Sequence, residues 1–328
     1  MDTKLLKKIF AVLITVVLVT LLFTQINMED VITTLKNINP ILLIAGFFIY
    51  TGSYILRAWR FHVLLNRDIS IRNIFPIVCA HNMLNNLLPA RTGELSYIYF
   101  LKKEEGRTTG EALGTLIIAR FFDFIIITIF FLLFFLFVGY IVPGFSILIF
   151  TGIVFLLVVV VLLIGLLFYG DAMFVRAKKI LKFFDFNTVQ MGTFVSKKCE
   201  EMITCFNAFT KGKKSNLLSV FFLSLGIWSL SYLLFYLLAI SMNINLGVIP
   251  ILFASSFAVF STVLPIQGIG GFGTMEGGWA LGFIAVGIPN EMAISTGFAF
   301  HLIILIYTLI LGSVGYMKIY LSRKERKS

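Results

Sequence analysis

Residues 112–138 read ALGTLIIARFFDFIIITIFFLLFFLFV, an apolar run in which Arg120 and Asp123 are the only charged residues. A helix rises about 1.5 Å per residue, so about 20 apolar residues cross the hydrocarbon core of a bilayer. This run exceeds that length and predicts a transmembrane helix. Because charged side chains at membrane depth are costly and usually functional, Arg120 and Asp123 are also the first candidates for a site.

The rest of the chain has the same character. Its 328 residues are 59% hydrophobic and 13% charged, which is typical of a multi-pass membrane protein. Further runs long enough to span a bilayer are residues 9–26, 41–59, 145–169, 217–241 and 293–316. The first follows several lysines but lacks the small-residue cleavage site of a signal peptide, so we interpret it as an uncleaved span. We therefore expect an all-α fold with six full transmembrane helices, located in the cell membrane.

Two shorter apolar segments break at Leu-Pro and run through glycine to a glutamate. They are LPARTGE at residues 88–94 and LPIQGIGGFGTME at residues 264–276. The segment before the first break, 74–88, would cover about 22 Å of the roughly 30 Å hydrocarbon core. Together with 248–264 and 279–288, it predicts the half-helices of two re-entrant hairpins. Broken backbone and carboxyl groups in hydrocarbon cost several kcal/mol unless they line a cavity, so we expect the breaks to line one.

The distribution of basic residues predicts the topology. If neither hairpin crosses the membrane, all basic residues except Lys36, Arg91 and Arg120 fall on one side, including those of 57–72. Cytoplasmic loops collect lysine and arginine, so both termini are expected in the cytoplasm. The net charge of +11 then follows from topology and does not indicate a nucleic-acid partner.

This topology predicts internal symmetry within one integral membrane domain, residues 1–328. A first repeat, about 41–138, and a second, about 217–317, would enter the membrane from opposite sides as inverted repeats. Chance similarity of the two breaks is the alternative. Between the repeats, the basic and aromatic segment at about 171–214 predicts cytoplasmic amphipathic helices on an anionic leaflet.

The sequence also resembles a known family. The resemblance rests on NNLLPARTGE at 85–94, ARFFD at 119–123, and Pro265 with GGFG at 270–273 and Glu276. With these motifs, essentially the whole chain is similar to the flippase-like membrane domain of lysylphosphatidylglycerol synthases. Related stand-alone proteins include archaeal ones linked to dolichol-phosphate glycosylation.

The resemblance implies the lipid-translocating half of such a synthase, without its aminoacyl-transfer domain. It implies membrane lipids as partners, and a glycosyltransferase or an aminoacyltransferase as a candidate protein partner. His301 departs from the family pattern, where a basic residue, often arginine, stands in the second repeat. This departure leaves the role of His301 open.

Arginine suits the recognition of an anionic head group. A guanidinium stays charged and can bind phosphate through two parallel hydrogen bonds, so Arg91 is the first candidate for head-group contact. An ion pair with Glu94 that ties the hairpin is its alternative. Arg120 has Asp123 at i+3 on the same helix face, so a structural or gating pair is favoured there over head-group contact.

The remaining candidates are acceptors and turn residues. Glu94 and Glu276 are expected either to carry protons and compete with phosphate, or to cap the short helices that follow the breaks. A polar stripe, formed by Asn82, Asn85 and Asn86, precedes the first break. It is expected either to line a wet groove or to join helices by hydrogen bonds. The glycines of the second break match the dinucleotide-binding pattern G-x-G-x-x-G, but the βαβ unit that this motif requires is missing. These glycines are therefore expected either to bind an anion through their backbone N–H groups or simply to form a turn. The expected substrate-binding residues are Asn82, Asn85, Asn86, Arg91, Glu94, Arg120, Asp123, Gln267, Gly270, Gly271, Glu276 and His301.

Two classes of function are compatible with these features. One is a flippase or scramblase that moves an anionic phospholipid or a polyprenyl-phosphate-linked lipid between leaflets by alternating access. The other is an intramembrane enzyme, or an accessory subunit, that acts on lipid-linked sugars. The sequence contains no H-E-x-x-H motif, and its three histidines are far apart. We therefore favour transport and expect no catalytic residue, metal or cofactor.

Overall fold

The computed structural model describes residues 28–138, 214–263 and 268–325. Over these ranges the ordered elements are all helical: nine α-helices and two short 3-10 turns. The α-helices are α1 Met28–Asn37, α2 Pro40–Leu64, α3 Ile71–Leu87, α4 Glu94–Glu105, α5 Thr109–Val138, α6 Lys214–Ser241, α7 Val248–Val263, α8 Thr274–Ala285 and α9 Asn290–Glu325. The 3-10 turns, Pro89–Arg91 and Ile269–Gly271, lie in the two breaks.

Four helices are long and apolar enough to cross a membrane, namely α2, α5, α6 and α9. They correspond to the predicted spans at 41–59, 112–138, 217–241 and 293–316. The all-helical, multi-pass class is therefore confirmed. The predicted spans at 9–26 and 145–169, and most of the segment at 171–214, lie outside the described residues.

The helix ends follow local chemistry. The α2 helix begins with Pro40 at its first position, and the Asn39 side-chain oxygen accepts a hydrogen bond from the amide of Ile41 at 2.9 Å. The α4 helix ends at Gly106, which has a left-handed φ of 68°. The α9 helix continues to Glu325, well past the predicted end of its apolar run, and its last turn carries Arg323 and Lys324, which interact favourably with the helix C-terminus.

Each break joins two antiparallel helices into a hairpin. In the first, His81 of α3 lies 3.3 Å from the Ser96 hydroxyl of α4. In the second, a Cβ on Gly278 of α8 would lie 2.8 Å from the carbonyl oxygen of Phe257 in α7. The predicted half-helix at 279–288 is thus the later part of a helix that begins at Thr274.

The hairpins pack between the long helices. The α2 and α6 helices run antiparallel, since Gly46 lies beside Leu234 while Leu56 lies beside Gly226. The α3 helix packs along α9, and α7 packs along α5, where Phe131 contacts several phenylalanine rings of α7. This arrangement brings the two breaks into contact in the interior of the molecule.

Candidate functional site

A cavity of about 130 Å³ lies where the two breaks meet. This volume is several times the roughly 10–15 Å³ that a cavity needs to hold one water molecule. Its walls come from α2, α3, α5, α6 and α9, with both breaks at its edge. Predicted site residues that line it are Asn82, Asn85, Asn86, Arg91, Arg120, Gly270, Gly271 and His301.

The three predicted carboxylates, Glu94, Asp123 and Glu276, contact basic residues beside the cavity. Gln267 lies outside the described residues. Within the described ranges, no three side chains of the metal-ligating types His, Cys, Asp and Glu cluster together.

A buried ion pair lies beside the cavity. Arg60 of α2 donates to both carboxylate oxygens of Asp123 on α5, at 2.5 and 3.2 Å, and also to the Ser224 hydroxyl at 2.9 Å. The Trp228 indole N–H donates to the same Asp123 carboxylate at 2.8 Å. Arg60 and Asp123 are only 2% and 1% exposed. These contacts fasten α2, α5 and α6 together.

Arg120 lies 3.6 Å from Asp123 and 3.1 Å from Glu94. Its expected local pair with Asp123 is thus the longer of its two contacts, because Arg60 takes the nearer position on that carboxylate. Glu94 also lies 3.4 Å from Arg91, and its carboxylate accepts no capping hydrogen bond from the described amides at the start of α4. Glu94 is therefore shared between two arginines.

Arg91 connects the two hairpins. Its guanidinium donates to the main-chain carbonyl of Thr262, in the last turn of α7, as well as contacting Glu94. A helix C-terminus carries partial negative charge, so a guanidinium is favourable there. The predicted tie with Glu94 is present, and the contact with the second hairpin adds to it.

Glu276 takes the capping role that the sequence offered and also contacts a histidine. One carboxylate oxygen accepts a hydrogen bond from the Gly273 amide at 2.9 Å, which caps α8. The other lies 2.6 Å from Nδ1 of His301 on α9. Glu276 is buried, whereas the His301 ring reaches the cavity.

The two hairpins make equivalent contacts at matching positions. The Tyr97 hydroxyl lies 3.2 Å from the Thr115 hydroxyl in the first, and the Trp279 indole N–H lies 3.2 Å from the Thr296 hydroxyl in the second. In each hairpin this bond joins the short helix to the long helix that follows. It lies beside the contact of a glutamate with a basic residue, which is Arg120 in the first hairpin and histidine in the second.

The backbone shows the same correspondence. Arg91 and Gly273, each three residues before its glutamate, have left-handed φ values of 55° and 88°. This conformation is easy for glycine and costs about 1–2 kcal/mol for other residues, which marks Arg91 as a position of strain. Strain of this kind is found preferentially at functional sites.

The polar stripe on α3 both faces the cavity and joins helices. The Asn82 amide donates to the Val78 carbonyl at 2.8 Å, and the Asn86 amide donates to the Thr308 hydroxyl of α9 at 3.2 Å. Thr308 in turn lies 2.6 Å from the Tyr50 hydroxyl. The stripe therefore lines the cavity and also joins α3 to α9.

Sequence reasoning missed several cavity residues. The charge count assigned 57–72 to a cytoplasmic loop, yet Arg57 and Arg60 lie within α2 and Arg60 is buried. Two arginines three residues apart at the end of an apolar run could have indicated a buried site. Tyr50, Tyr54 and Trp228 carried no such signal, because aromatic residues are abundant throughout the chain.

Guanidinium groups outnumber carboxylates around the cavity. Among the residues that the structure describes, the excess is one positive charge. The groups counted are Arg57, Arg60, Arg91 and Arg120 against Glu94, Asp123 and Glu276. A surplus of fixed positive charge inside a membrane domain is costly unless an anion accompanies it.

Comparison with known proteins gives consistent results. The profile of a family described as the lysylphosphatidylglycerol synthase TM region matches residues 8–312. A UPF0104 membrane protein of Methanocaldococcus jannaschii is 28% identical over 332 residues, covering 97% of this chain and 96% of that protein. No solved structure matches the chain significantly.

Proposed function

Because the chain belongs to the family of the lysylphosphatidylglycerol synthase TM region, we propose that it is a flippase or scramblase that moves lipids between membrane leaflets. Its cargo is an anionic phospholipid or a polyprenyl-phosphate-linked lipid. The head group passes through the cavity while the hydrocarbon chains stay in the bilayer. We place the protein in the cell membrane as a multi-pass protein.

The observation that carries this proposal is the surplus of guanidinium groups around the cavity. Phosphate esters are the anionic groups of membrane lipids, and guanidinium binds them through paired, charge-assisted hydrogen bonds. An anionic head group would offset the cost of the unmatched positive charge. Asparagine side chains and glycine backbone at the same cavity supply the neutral polar contacts that such a head group needs.

The matched hairpins support a mechanism of alternating access. We propose that 41–138 and 217–317 are inverted repeats and that both hairpins re-enter the membrane. Antiparallel packing of α2 against α6, and the equivalent glutamate contacts in the two hairpins, agree with this symmetry. In transporters built from such repeats, exchange of the two repeat conformations opens a central site to each side in turn.

Reconstitution tests the proposal. The purified protein is placed in liposomes with fluorescent phosphatidylglycerol, and exposure of the lipid to an external quencher is followed over time. Movement of the unmodified lipid supports a flippase or scramblase. A new covalent lipid product would instead support the intramembrane enzyme, and no movement of any lipid tested would contradict the proposal.

Substitution of Arg91 makes this test specific to the cavity. Arg91→Gln should abolish lipid movement, since it removes a cavity guanidinium and the contact with Thr262. Arg67→Gln is the matched control, because Arg67 is exposed in the loop after α2 and also has a left-handed φ. Equal rates for both variants in folded protein would remove Arg91 from the mechanism.

A further inference from the structure

Arg57 differs from the other arginines of the cavity. Its guanidinium carbon lies 5.7 Å from the centre of the Trp228 ring, which is within the range of a cation–π contact. Among the residues that the structure describes, this guanidinium makes no hydrogen bond and no ion pair, and its Nε is buried without a partner. We infer that Arg57, held on the Trp228 ring, binds the head-group phosphate and makes the cavity selective for lipids of net negative charge.

The other guanidinium groups are already engaged. Arg60 uses both terminal nitrogens on Asp123 and Ser224, while Arg91 and Arg120 share Glu94. A phosphate would have to displace a carboxylate or a carbonyl from each of these. At Arg57 it would displace no partner from the described part of the chain, so Arg57 is the position at which binding costs least.

Trp228 keeps Arg57 in place. The indole N–H donates to the buried carboxylate of Asp123 at 2.8 Å, which fixes the ring in its plane. A guanidinium that lies over a fixed ring is restricted in position while its N–H donors stay available, and both residues line the cavity. The buried ion pair thus acts as a support for the binding residue.

Asn85 is a second cavity side chain with an unmet hydrogen bond. It is 5% exposed, and its side-chain oxygen is buried with no donor among the described residues. Buried polar atoms nearly always have partners, so an atom of this kind indicates a polar ligand or water at that place. An unpaired cation and an unpaired polar acceptor in the same cavity fit a phosphate head group that carries hydroxyl groups, as in phosphatidylglycerol.

This inference rests on the proposed function and narrows its substrate class. With its surplus positive charge, the cavity should prefer phosphatidylglycerol, which is anionic, over zwitterionic phosphatidylcholine. It should disfavour the lysyl ester of phosphatidylglycerol, whose two ammonium groups outweigh its phosphate. The proposed cargo is therefore the unmodified anionic lipid.

The transport test compares these three lipids, each with the same fluorescent label on one acyl chain. Both lipids carry the phosphate that Arg57 would bind, so the difference between them comes from repulsion between the surplus positive charge and the choline cation. At a separation of about 7 Å and an effective dielectric constant of about 20, this repulsion is about 2 kcal/mol, so the wild type should move phosphatidylglycerol about thirtyfold faster than phosphatidylcholine. Arg57→Gln should bring this ratio close to one, and Arg57→Lys should retain part of it. Arg67→Gln is the control for loss of one charge. An unchanged ratio in Arg57→Gln would overturn the inference.

A binding measurement separates this inference from the proposed function. Decyl phosphate should raise the Tm of the wild type in detergent, because a ligand stabilises the folded state that binds it, while decanol should not. Arg57→Gln should fold with an unchanged Tm and lose the response to decyl phosphate. If the wild type moved no lipid but kept this Arg57-dependent response, the transport proposal would fail and the phosphate site would stand. A response that persists in Arg57→Gln would overturn the site.

Discussion

Replacing Asp123 with alanine removes the acceptor at the centre of the buried network beside the cavity. The carboxylate accepts two hydrogen bonds from Arg60 and one from the Trp228 indole, and it lies 3.6 Å from Arg120. In Asp123→Ala, the Arg60 guanidinium stays buried without its counter-charge, since it is only 2% exposed. The same change frees the Trp228 ring that lies under Arg57.

The size of the effect follows from these contacts. Removing one partner of a buried ion pair costs about 3–5 kcal/mol, because the other charge is left uncompensated. The lost indole bond adds about 1 kcal/mol. We therefore expect Asp123→Ala to lower the free energy of unfolding by about 4–6 kcal/mol.

A double variant tests whether the uncompensated charge causes this loss. Arg60→Met combined with Asp123→Leu removes both charges and fills their place with apolar side chains. Replacing a buried ion pair with apolar residues is often neutral or stabilising, so the double variant should be more stable than Asp123→Ala alone by about 2 kcal/mol or more. Arg107, whose ion pairs are partly exposed, provides a control: Arg107→Gln should cost less than about 1 kcal/mol.

The assay is reversible unfolding of the purified protein in mixed micelles with increasing SDS. Free energies are compared among the wild type, the single variants and the double variant. The reasoning would be refuted if Asp123→Ala stayed within about 1 kcal/mol of the wild type, the level of an exposed pair. A double variant less stable than the sum of its single changes would refute the role of the uncompensated charge.

Two further predictions concern the second hairpin. Gly282→Ala should destabilise the protein by about 3 kcal/mol or more in the same assay, since its Cβ would overlap the Ala254 carbonyl, whereas Gly277→Ala on the same helix meets open space and should be neutral. Glu276→Ala should lose about 1–2 kcal/mol because it removes the cap on the Gly273 amide. Glu276→Gln keeps an oxygen for that amide, so a loss as large as that in alanine would contradict the capping role.

The apolar helices were predictable because membrane crossing depends on local properties. A bilayer imposes a minimum length and excludes charge, so single-sequence counting located α2, α5 and α6 within about five residues and also located α9, although that helix continues to Glu325. The breaks were equally visible, since proline and glycine determine local backbone geometry. Their position predicted the ends of α3 and α7, although not the full extent of α4 and α8.

The partners within the site could not be predicted in the same way. Asp123 has Arg120 three residues away along the chain, yet its closest partner is Arg60 on another helix. Sequence separation favours local pairs, but α2 lies close enough to α5 for Arg60 to reach the carboxylate. The role of Arg57 was missed for the same reason, because its free guanidinium is recognised only when the partners of every neighbouring charge are known.

The sequence alone determined that this is an all-helical membrane protein of the lysylphosphatidylglycerol synthase TM family, with two Leu-Pro breaks that run through glycine to a glutamate, the first of which also carries an arginine. Those properties depend on composition, length and local backbone preference. Only the tertiary structure decided that the breaks meet at one cavity, that Arg91 reaches the second hairpin, and that Arg57 lies over Trp228 with no ion pair to any described residue. Charge balance is a property of the packed cavity, because it depends on which side chains of different helices come within a few ångströms of one another.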